Sequence, residues 1–389
     1  MRDEDVLASV RALAPALRRR AAEADERRRV PDASVEELAG AGFFRLLQPR
    51  AHGGLAADPA VFCAAVKEIA KACGSTGWAA SVIGVHPWHV ALYDPRAQEE
   101  VWGADTGTLI CSSYAPTGTV TAVDGGFRLS GRWHFSSGCD HARWALLGGL
   151  VTDADGSPVD VRTFLVPRSE YVVDDVWDTV GLRGTGSNDI VVRDAFVPEH
   201  RSLGYLAVNA LDCPGHEANT EPLYRVPYPA IFTTTISTAM VGIAERAYEE
   251  HVADARERFR TSSGRQAAAD PFAQVRIARA ASEIDAAQLQ LSRNMGDLYT
   301  TVERGERASM EQRTRARRDQ VLATERAVTA VDLLVANAGG GIMGSSGSVV
   351  QRAWRDLHTG CGQAANDLER ALGYYGRHAL GADVHDTMV

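Results

Sequence analysis

No stretch of this chain is apolar for long enough to cross a bilayer, and no basic excess is present to hold a polyanion, the formal charge being −9 and the isoelectric point about 5.7. Neither a membrane nor a nucleic acid is therefore expected as a partner. The six cysteines (Cys63, Cys73, Cys111, Cys139, Cys213, Cys361) include no C-x-x-C pair, which removes the sequence basis for a zinc site or a disulfide framework. Eleven histidines include no H-E-x-x-H and no tight cluster with carboxylates, so no metal is expected. Asp3, Glu4 and Asp5 stand ahead of Arg18-Arg19-Arg20, the reverse of the basic-then-apolar order of a secretory signal, and the expected location is the cytoplasm. What is present describes an ordinary globular protein. The 389 residues, 45 % hydrophobic and 23 % charged, suit two or three domains with room for a cavity.

Three regions differ in periodicity. Val6 to Arg29 is rich in Ala, Leu, Arg and Glu; Ser34 followed by Glu37 has the capping-box spacing of a second helix start. Pro59 to Ala72 and Ser75 to Tyr93 read as further helices, the latter interrupted at His86-Pro87-Trp88 because proline lacks the N–H that a helix interior needs. From Thr108 the pattern shortens to β-prone runs at 109–113, 120–123, 127–135, 144–151, 163–166, 171–177 and 190–197, separated by Gly, Asp, Asn and Pro, which suits an antiparallel barrel or sandwich. A proline-bearing spacer (Pro214, Pro222, Pro227, Pro229) then leads to long helices with stripes at Ile236, Met240, Ile243, Ala247 and at Val321, Thr324, Val328, Val331. The expectation is an α+β chain of three parts, a helical domain over 1–104, a β domain over 105–200 and a crossing segment with an antiparallel helical bundle over 201–389.

The most informative stretch is Arg128 to Gly138. Phe127, Leu129, Trp133 and Phe135 alternate with Arg128, Ser130, Arg132 and His134, which predicts a strand with the aromatic set in the core, breaking into Ser136-Ser137-Gly138. Small hydroxyl residues and a glycine let backbone N–H groups approach a flat polar ring, although a core strand ending in a turn explains the same residues. Gly339-Gly-Gly-Ile-Met-Gly344 satisfies G-x-G-x-x-G but follows a helix and has no βαβ setting, so it gives no support for a nicotinamide dinucleotide. Gly181 to Asp189 is either a turn or a polar pocket wall. His86 is a packed histidine or a catalyst, and Arg355-Asp356 an interhelical ion pair or part of a site.

Taken in order, Cys73-Gly-Ser-Thr-Gly-Trp78, His86-Pro-Trp88, Gly131-Arg-Trp-His-Phe-Ser-Ser-Gly138, Gly184-Thr-Gly-Ser-Asn-Asp189 and Trp354-Arg-Asp-Leu-His358 resemble the acyl-CoA dehydrogenase superfamily, and within it the two-component flavin-dependent monooxygenases that hydroxylate aromatic and polyketide-like compounds. The resemblance covers nearly the whole chain. It implies an N-terminal helical domain, a β-barrel and a C-terminal four-helix bundle assembled as a homotetramer. It further implies reduced FAD or FMN from a separate flavin reductase, with O2 forming a flavin C4a-hydroperoxide that oxygenates a small aromatic substrate. By position, Ser136 would meet the flavin N5, Trp133 and His134 would flank the ring, and Ser112 and Ser113 would contact its pyrimidine side. Arg256 and Phe259 would reach the phosphates of a neighbouring subunit's flavin, Asn337, Gly340 and Gly341 would lie near the nucleotide part, and His86 would face the substrate. A neutral histidine in reach of a phenol or heteroaromatic N–H can take its proton and activate the ring carbon.

One position departs from that pattern. Where many such monooxygenases carry a His, about eight residues after the Arg of the Arg-Asp pair, this chain has Gln363, which donates a hydrogen bond but transfers no proton at neutral pH; His358 is the candidate replacement. A true acyl-CoA dehydrogenase needs a carboxylate base, and the two positions that supply one are Ala364 and Phe232 here. An N-oxygenase acting on an amine or amino sugar shares the cofactor and remains the main alternative. A flavin-fold scaffold without activity would be favoured by loss of Ser136 and the Gly-rich turn, which are present.

Overall fold

In the computed structural model the residues described are 2–153, 155–260, 265–338, 340–345, 347–386 and 389, without the side chains at 259, 260, 265, 266, 337 and 341. The expectations placed on the side chains of Phe259 and Asn337 and on the surroundings of Gly341 therefore lie outside the described residues, as does Gly339.

Five helices come first: α1 (Asp3–Arg27), α2 (Asp32–Gly40), α3 (Pro59–Ala72), α4 (Gly74–Val90) and α5 (Pro95–Trp102). Asp58 and Asp94 cap α3 and α5, each accepting a backbone N–H two residues on, with proline at the first helical position where its missing N–H costs nothing. Two local expectations fail. Helix α2 begins at Asp32 after Pro31, so Ser34 lies within the helix and is buried instead of capping it. Pro87 does not interrupt α4, which runs unbroken to Val90; every residue from Ser75 to Val90 is buried, and packing on all sides offsets the one lost hydrogen bond.

The strands are β1 (Ile110–Val123), β2 (Gly126–Ser136), β3 (Trp144–Thr152), β4 (Pro158–Pro167), β5 (Tyr171–Asp174), β6 (Asn188–Pro198) and β7 (Ser202–Gly204), in the sheet order β5-β6-β2-β1-β3-β4-β7. The runs expected at 109–113 and 120–123 are one strand, bent by an irregularity between Ser113 and Gly118. Gly118 is required there, since a Cβ would stand 2.1 Å from the Trp133 ring. The sheet is not wholly antiparallel: β1 and β2 form a hairpin, and β3 returns on the other side of β1, parallel to it. Its two halves curl over a shared core of Leu129, Trp133, Leu147, Val166 and Ile190, with Phe127 and Phe164 edge to face at 5.2 Å, which gives the sandwich-like enclosure expected of this region.

After α6 (Tyr205–Ala210) and the proline-bearing crossing, α7 (Tyr228–Glu257), α8 (Pro271–Glu303), α9 (Met310–Ala338), α10 (Gly340–Met343), α11 (Val349–Gly360) and α12 (Leu368–Ala379) complete the chain. Helix α12 begins at Leu368, where Asp367 caps it by accepting the Arg370 N–H at 3.1 Å.

Arg355 and Asp356 join the three parts. Arg355 donates to the Val180 carbonyl at 2.7 Å and pairs with Asp25 of α1 at 3.1 Å, while Asp356 accepts the Leu182 N–H at 2.6 Å. Gly181 passes so close beneath α11 that a Cβ would lie 2.0 Å from the Arg355 carbonyl oxygen. The ion-pair reading of this motif thus holds, as a clasp on the β5–β6 connection. Burial pushes the Asp356 carboxyl up to about 7, against the Leu182 N–H that favours its charged form. A raised folded-state value means that the fold binds this proton more tightly than the unfolded chain, so the contribution to stability is full below about pH 4 and is lost as pH rises through about 7. Asp356→Asn keeps the acceptor for Leu182 and is expected to flatten that part of the decline in melting temperature from pH 4 to 7, whereas Asp356→Ala leaves a buried N–H unpaired and costs about 1–3 kcal/mol. Thermal unfolding of both variants across this pH range checks the pair.

Candidate active site

Backbone pairing between β1 and β2 runs only from Val123↔Gly126 to Thr119↔Ser130. Beyond that point hydroxyls take over. Thr117 Oγ1 donates to the Arg132 carbonyl at 2.9 Å, Ser113 Oγ to the His134 carbonyl at 2.7 Å, and Ser136 Oγ to the Ser112 carbonyl at 2.9 Å. The β2–β6 register slips between Trp133 and Ser136, and Phe135 takes the left-handed region with φ 66°. This bulge overturns the expectation of a core Phe135: its ring is 72 % exposed, edge to face with Trp177 at 6.2 Å, and Ser136 turns inward and is fully buried. A bulky residue at positive φ with an exposed ring is stored strain of the kind found at ligand sites.

Around Ser136 the structure gathers further hydroxyls. Ser137 Oγ accepts from Trp78 Nε1 at 3.2 Å and lies 2.8 Å from Ser187 Oγ, which is 2.7 Å from Thr185 Oγ1. Of the two serines only Ser137 keeps any exposed surface, 5 %. His134 lies outside them, half-exposed, with Nδ1 2.9 Å from Asp189, which also pairs with Arg132 at 2.7 Å. Trp133 is not part of this ledge. Its indole is enclosed in the sheet core, donating to the Gly148 carbonyl at 2.8 Å, because it precedes the bulge and keeps the inward phase of the strand.

A second group adjoins the first through β1. Tyr114, one residue beyond Ser113, places its hydroxyl 3.2 Å from His86 Nδ1 and 3.0 Å from His89 Nδ1, both on α4. Its ring meets Tyr228 and Phe232 of α7 edge to face at 5.6 and 5.4 Å, and those two stack at 5.6 Å. His86 is wholly buried and its Nε2 has no partner. Burial, with a smaller contribution from His89, holds His86 well below its usual range, and burial alone takes His89 to about 3. Both rings are neutral. Tyr114, His89 and Tyr228 were not singled out from the sequence; the one local signal was the three-residue spacing of His86 and His89, which puts both on one helix face.

The remaining expected residues are dispersed. His358 lies against Asp332 of α9 at 3.0 Å beside Trp354, and Gln363 caps its own turn by accepting the Ala365 N–H. Arg256 is exposed near the end of α7, 24 residues and so about 36 Å along the axis from Phe232. Arg258 donates to the Ala338 carbonyl, which sets the ends of α7 and α9, with Gly340, together at that distant pole.

The described residues suit a flavin in two respects, a strained aromatic ledge beside buried hydroxyls and a buried imidazole beside Tyr114 with one nitrogen unpartnered. Comparison with known proteins gives the class. Residues 2–103 match the acyl-CoA dehydrogenase N-terminal domain and residues 234–367 the acyl-CoA dehydrogenase C-terminal domain. Within that fold the chain belongs to the oxygenase subunits of flavin-dependent monooxygenases, oxidoreductases that use reduced flavin. It is 53 % identical over 379 residues to the flavin-dependent monooxygenase oxygenase subunit HsaA of Rhodococcus jostii strain RHA1, covering 97 % of this chain and 99 % of that one. It is 35 % identical to the oxygenase component of the FADH(2)-dependent resorcinol hydroxylase of a Rhizobium species, covering 90 % and 87 %. The crystal structure of 3-HSA hydroxylase from Rhodococcus sp. RHA1 superposes with a TM-score of 0.95 at 51 % identity over 99 % of both chains.

Replacing Phe135 by glycine relieves the positive φ and removes the ledge. Phe135→Gly is expected to stay within about 1 kcal/mol of wild-type stability while losing about tenfold in affinity for reduced flavin. Anaerobic titration beside a melting curve measures both.

Proposed function

We propose that this chain hydroxylates an electron-rich aromatic or heteroaromatic carbon, taking reduced FAD or FMN from a separate reductase together with O2. The observation that carries this reading is the enclosed, neutral His86, tethered at Nδ1 by Tyr114, whose ring it meets edge to face, with Nε2 unpartnered. Bound reduced flavin would supply, with O2, the electrophilic oxygen. Ser136, buried beneath the ledge next to the partly exposed Ser137, has committed its hydroxyl hydrogen to the Ser112 carbonyl, so toward the N–H that a reduced flavin carries at N5 its oxygen would act as acceptor. His134 and Phe135 offer the ring an edge and an apolar face. His86 Nε2 takes the proton of a phenol or ring N–H, and the walls formed by Tyr114, Tyr228 and Phe232 keep water away from the reacting atoms. Phe232 stands where a dehydrogenase could place its carboxylate base and sets a ring there, packed on Tyr114 and Tyr228. These planar walls favour an aromatic substrate over the amine of an N-oxygenase, in line with the resorcinol hydroxylase among the relatives.

Two substitutions separate the roles. Ser136→Ala is expected to consume reduced flavin and O2 at an undiminished rate but release hydrogen peroxide in place of product. His86→Ala is expected to bind reduced flavin normally and slow product formation by roughly 10²- to 10⁴-fold, the usual contribution of a positioned acid-base group. Normal coupling in Ser136→Ala removes the N5 assignment, and normal turnover in His86→Ala returns His86 to a packing role.

We infer a homotetramer; the distance from Arg256 to the aromatic cluster supports the part of this reading in which Arg256 serves a flavin at Ser136 from another copy. Subunits carrying Arg256→Ala and Ser136→Ala, each impaired alone, are expected to regain coupled turnover when co-assembled, and sedimentation to report four copies. A fully active monomer overturns this assignment.

A further inference from the structure

We propose that Tyr114 and His89 form a proton relay that connects the enclosed Nε2 of His86 to solvent. The inference rests on the reading of His86 as the group that takes the substrate's proton.

A base with no exposed surface must pass its proton on or keep a buried charge. His86 is 0 % exposed and its ring cannot hold a charge cheaply there. Only one described group touches its other nitrogen. The Tyr114 hydroxyl lies between His86 Nδ1 at 3.2 Å and His89 Nδ1 at 3.0 Å, and a phenol has one hydrogen to give and lone pairs to receive. When its hydrogen goes to one ring it accepts from the other, which couples the tautomers of the two histidines; Tyr228 is the further hydroxyl that bears on Tyr114. For His86 Nε2 to be an acceptor, Nδ1–H must donate to the Tyr114 oxygen, Tyr114 O–H must donate to His89 Nδ1, and His89 must carry its hydrogen on Nε2. Unlike His86, His89 retains 4 % of its surface, which makes it the outlet.

Each hydrogen then moves one place. The substrate O–H or ring N–H bond breaks as His86 Nε2–H forms; His86 Nδ1–H passes to Tyr114, Tyr114 O–H to His89 Nδ1, and His89 Nε2–H to water. One proton leaves the substrate and one reaches water, with both imidazoles neutral before and after. After oxygen transfer, His86 Nε2–H passes to the oxyanion or ring nitrogen of the product while water returns a proton to His89 Nε2, and this reverse shift restores the starting tautomers. Tyr114 and His89 touch no reacting atom in this scheme and act through His86.

Tyr114→Phe removes the hydroxyl while keeping the ring against Tyr228 and Phe232, and His89→Asn keeps an acceptor for Tyr114 that cannot pass a proton. Solid-state 15N spectra of flavin-free protein labelled at histidine, assigned with His86→Gln and His89→Gln, are expected to show neutral His86 protonated at Nδ1. That preference is expected to be lost in Tyr114→Phe and kept in His89→Asn. In single turnovers with reduced flavin and a phenol, both variants are expected to slow oxygen transfer by on the order of 10- to 10²-fold. The curved dependence of this step on deuterium fraction, which several moving protons produce, should become linear in both. Unchanged His86 tautomer and isotope dependence in Tyr114→Phe, with His86→Ala still impaired, overturn the relay and leave the His86 assignment standing. Normal turnover in His86→Ala removes both.

Discussion

The bond from Ser136 Oγ to the Ser112 carbonyl, with its counterpart from Ser113 to the His134 carbonyl, holds β1 and β2 together where their backbone ladder has ended. Buried groups must be paired, and here side chains meet a demand that main-chain pairing meets elsewhere in the sheet. Released from the ladder, the end of β2 bulges, turns Phe135 outward and leaves Ser136 facing in. Opposite it on β1, Tyr114 follows Ser113 directly, so the ledge and the aromatic cluster are placed by one structural exception.

Both helical regions secure that placement. Helix α4 carries Trp78 to Ser137 and, about two and three turns later, His86 and His89 to Tyr114, and it can do both because it is enclosed along its length and continues past Pro87. Helix α7 closes the cluster with Tyr228 and Phe232. The clasp of Arg355 and Asp356 on residues 180 to 182 fixes the β5–β6 connection, whose continuation supplies Thr185 and Ser187 to the hydroxyl group around Ser137. A low-dielectric interior makes each of these polar contacts strong when complete, and keeps both histidines neutral.

Such an interior suits oxygen chemistry for the reason that makes it costly to build. Water is excluded and proton positions are set by a few fixed partners, so a neutral imidazole can accept a hydrogen without competition from solvent. The cost appears as strain at Phe135, a carboxyl at Asp356 held near neutrality, and an unpartnered nitrogen on His86.

The order of helices, strands and helices was legible in the sequence because periodicity is local: each stripe or alternation reports a face within one element. So was the candidacy of Ser136 and His86, carried by short motifs in a recognisable order. What escaped were features set by partners far away in the chain. Phe135 continued the alternation perfectly, and only the slipped pairing with β6 turned it outward. Trp133 looked available to a cofactor until the sheet closed over it. Pro87 should have broken a helix, and packing on every side kept that helix whole. Tyr114 reaches His86 and His89 across 28 and 25 residues, and Tyr228 and Phe232 join them from more than 100 residues later. No sequence period spans such distances. The residue types were fixed by the sequence, but which nitrogen faces which hydroxyl was decided by tertiary packing, because hydrogen bonds form only at about 3 Å and only the folded chain sets distances that short.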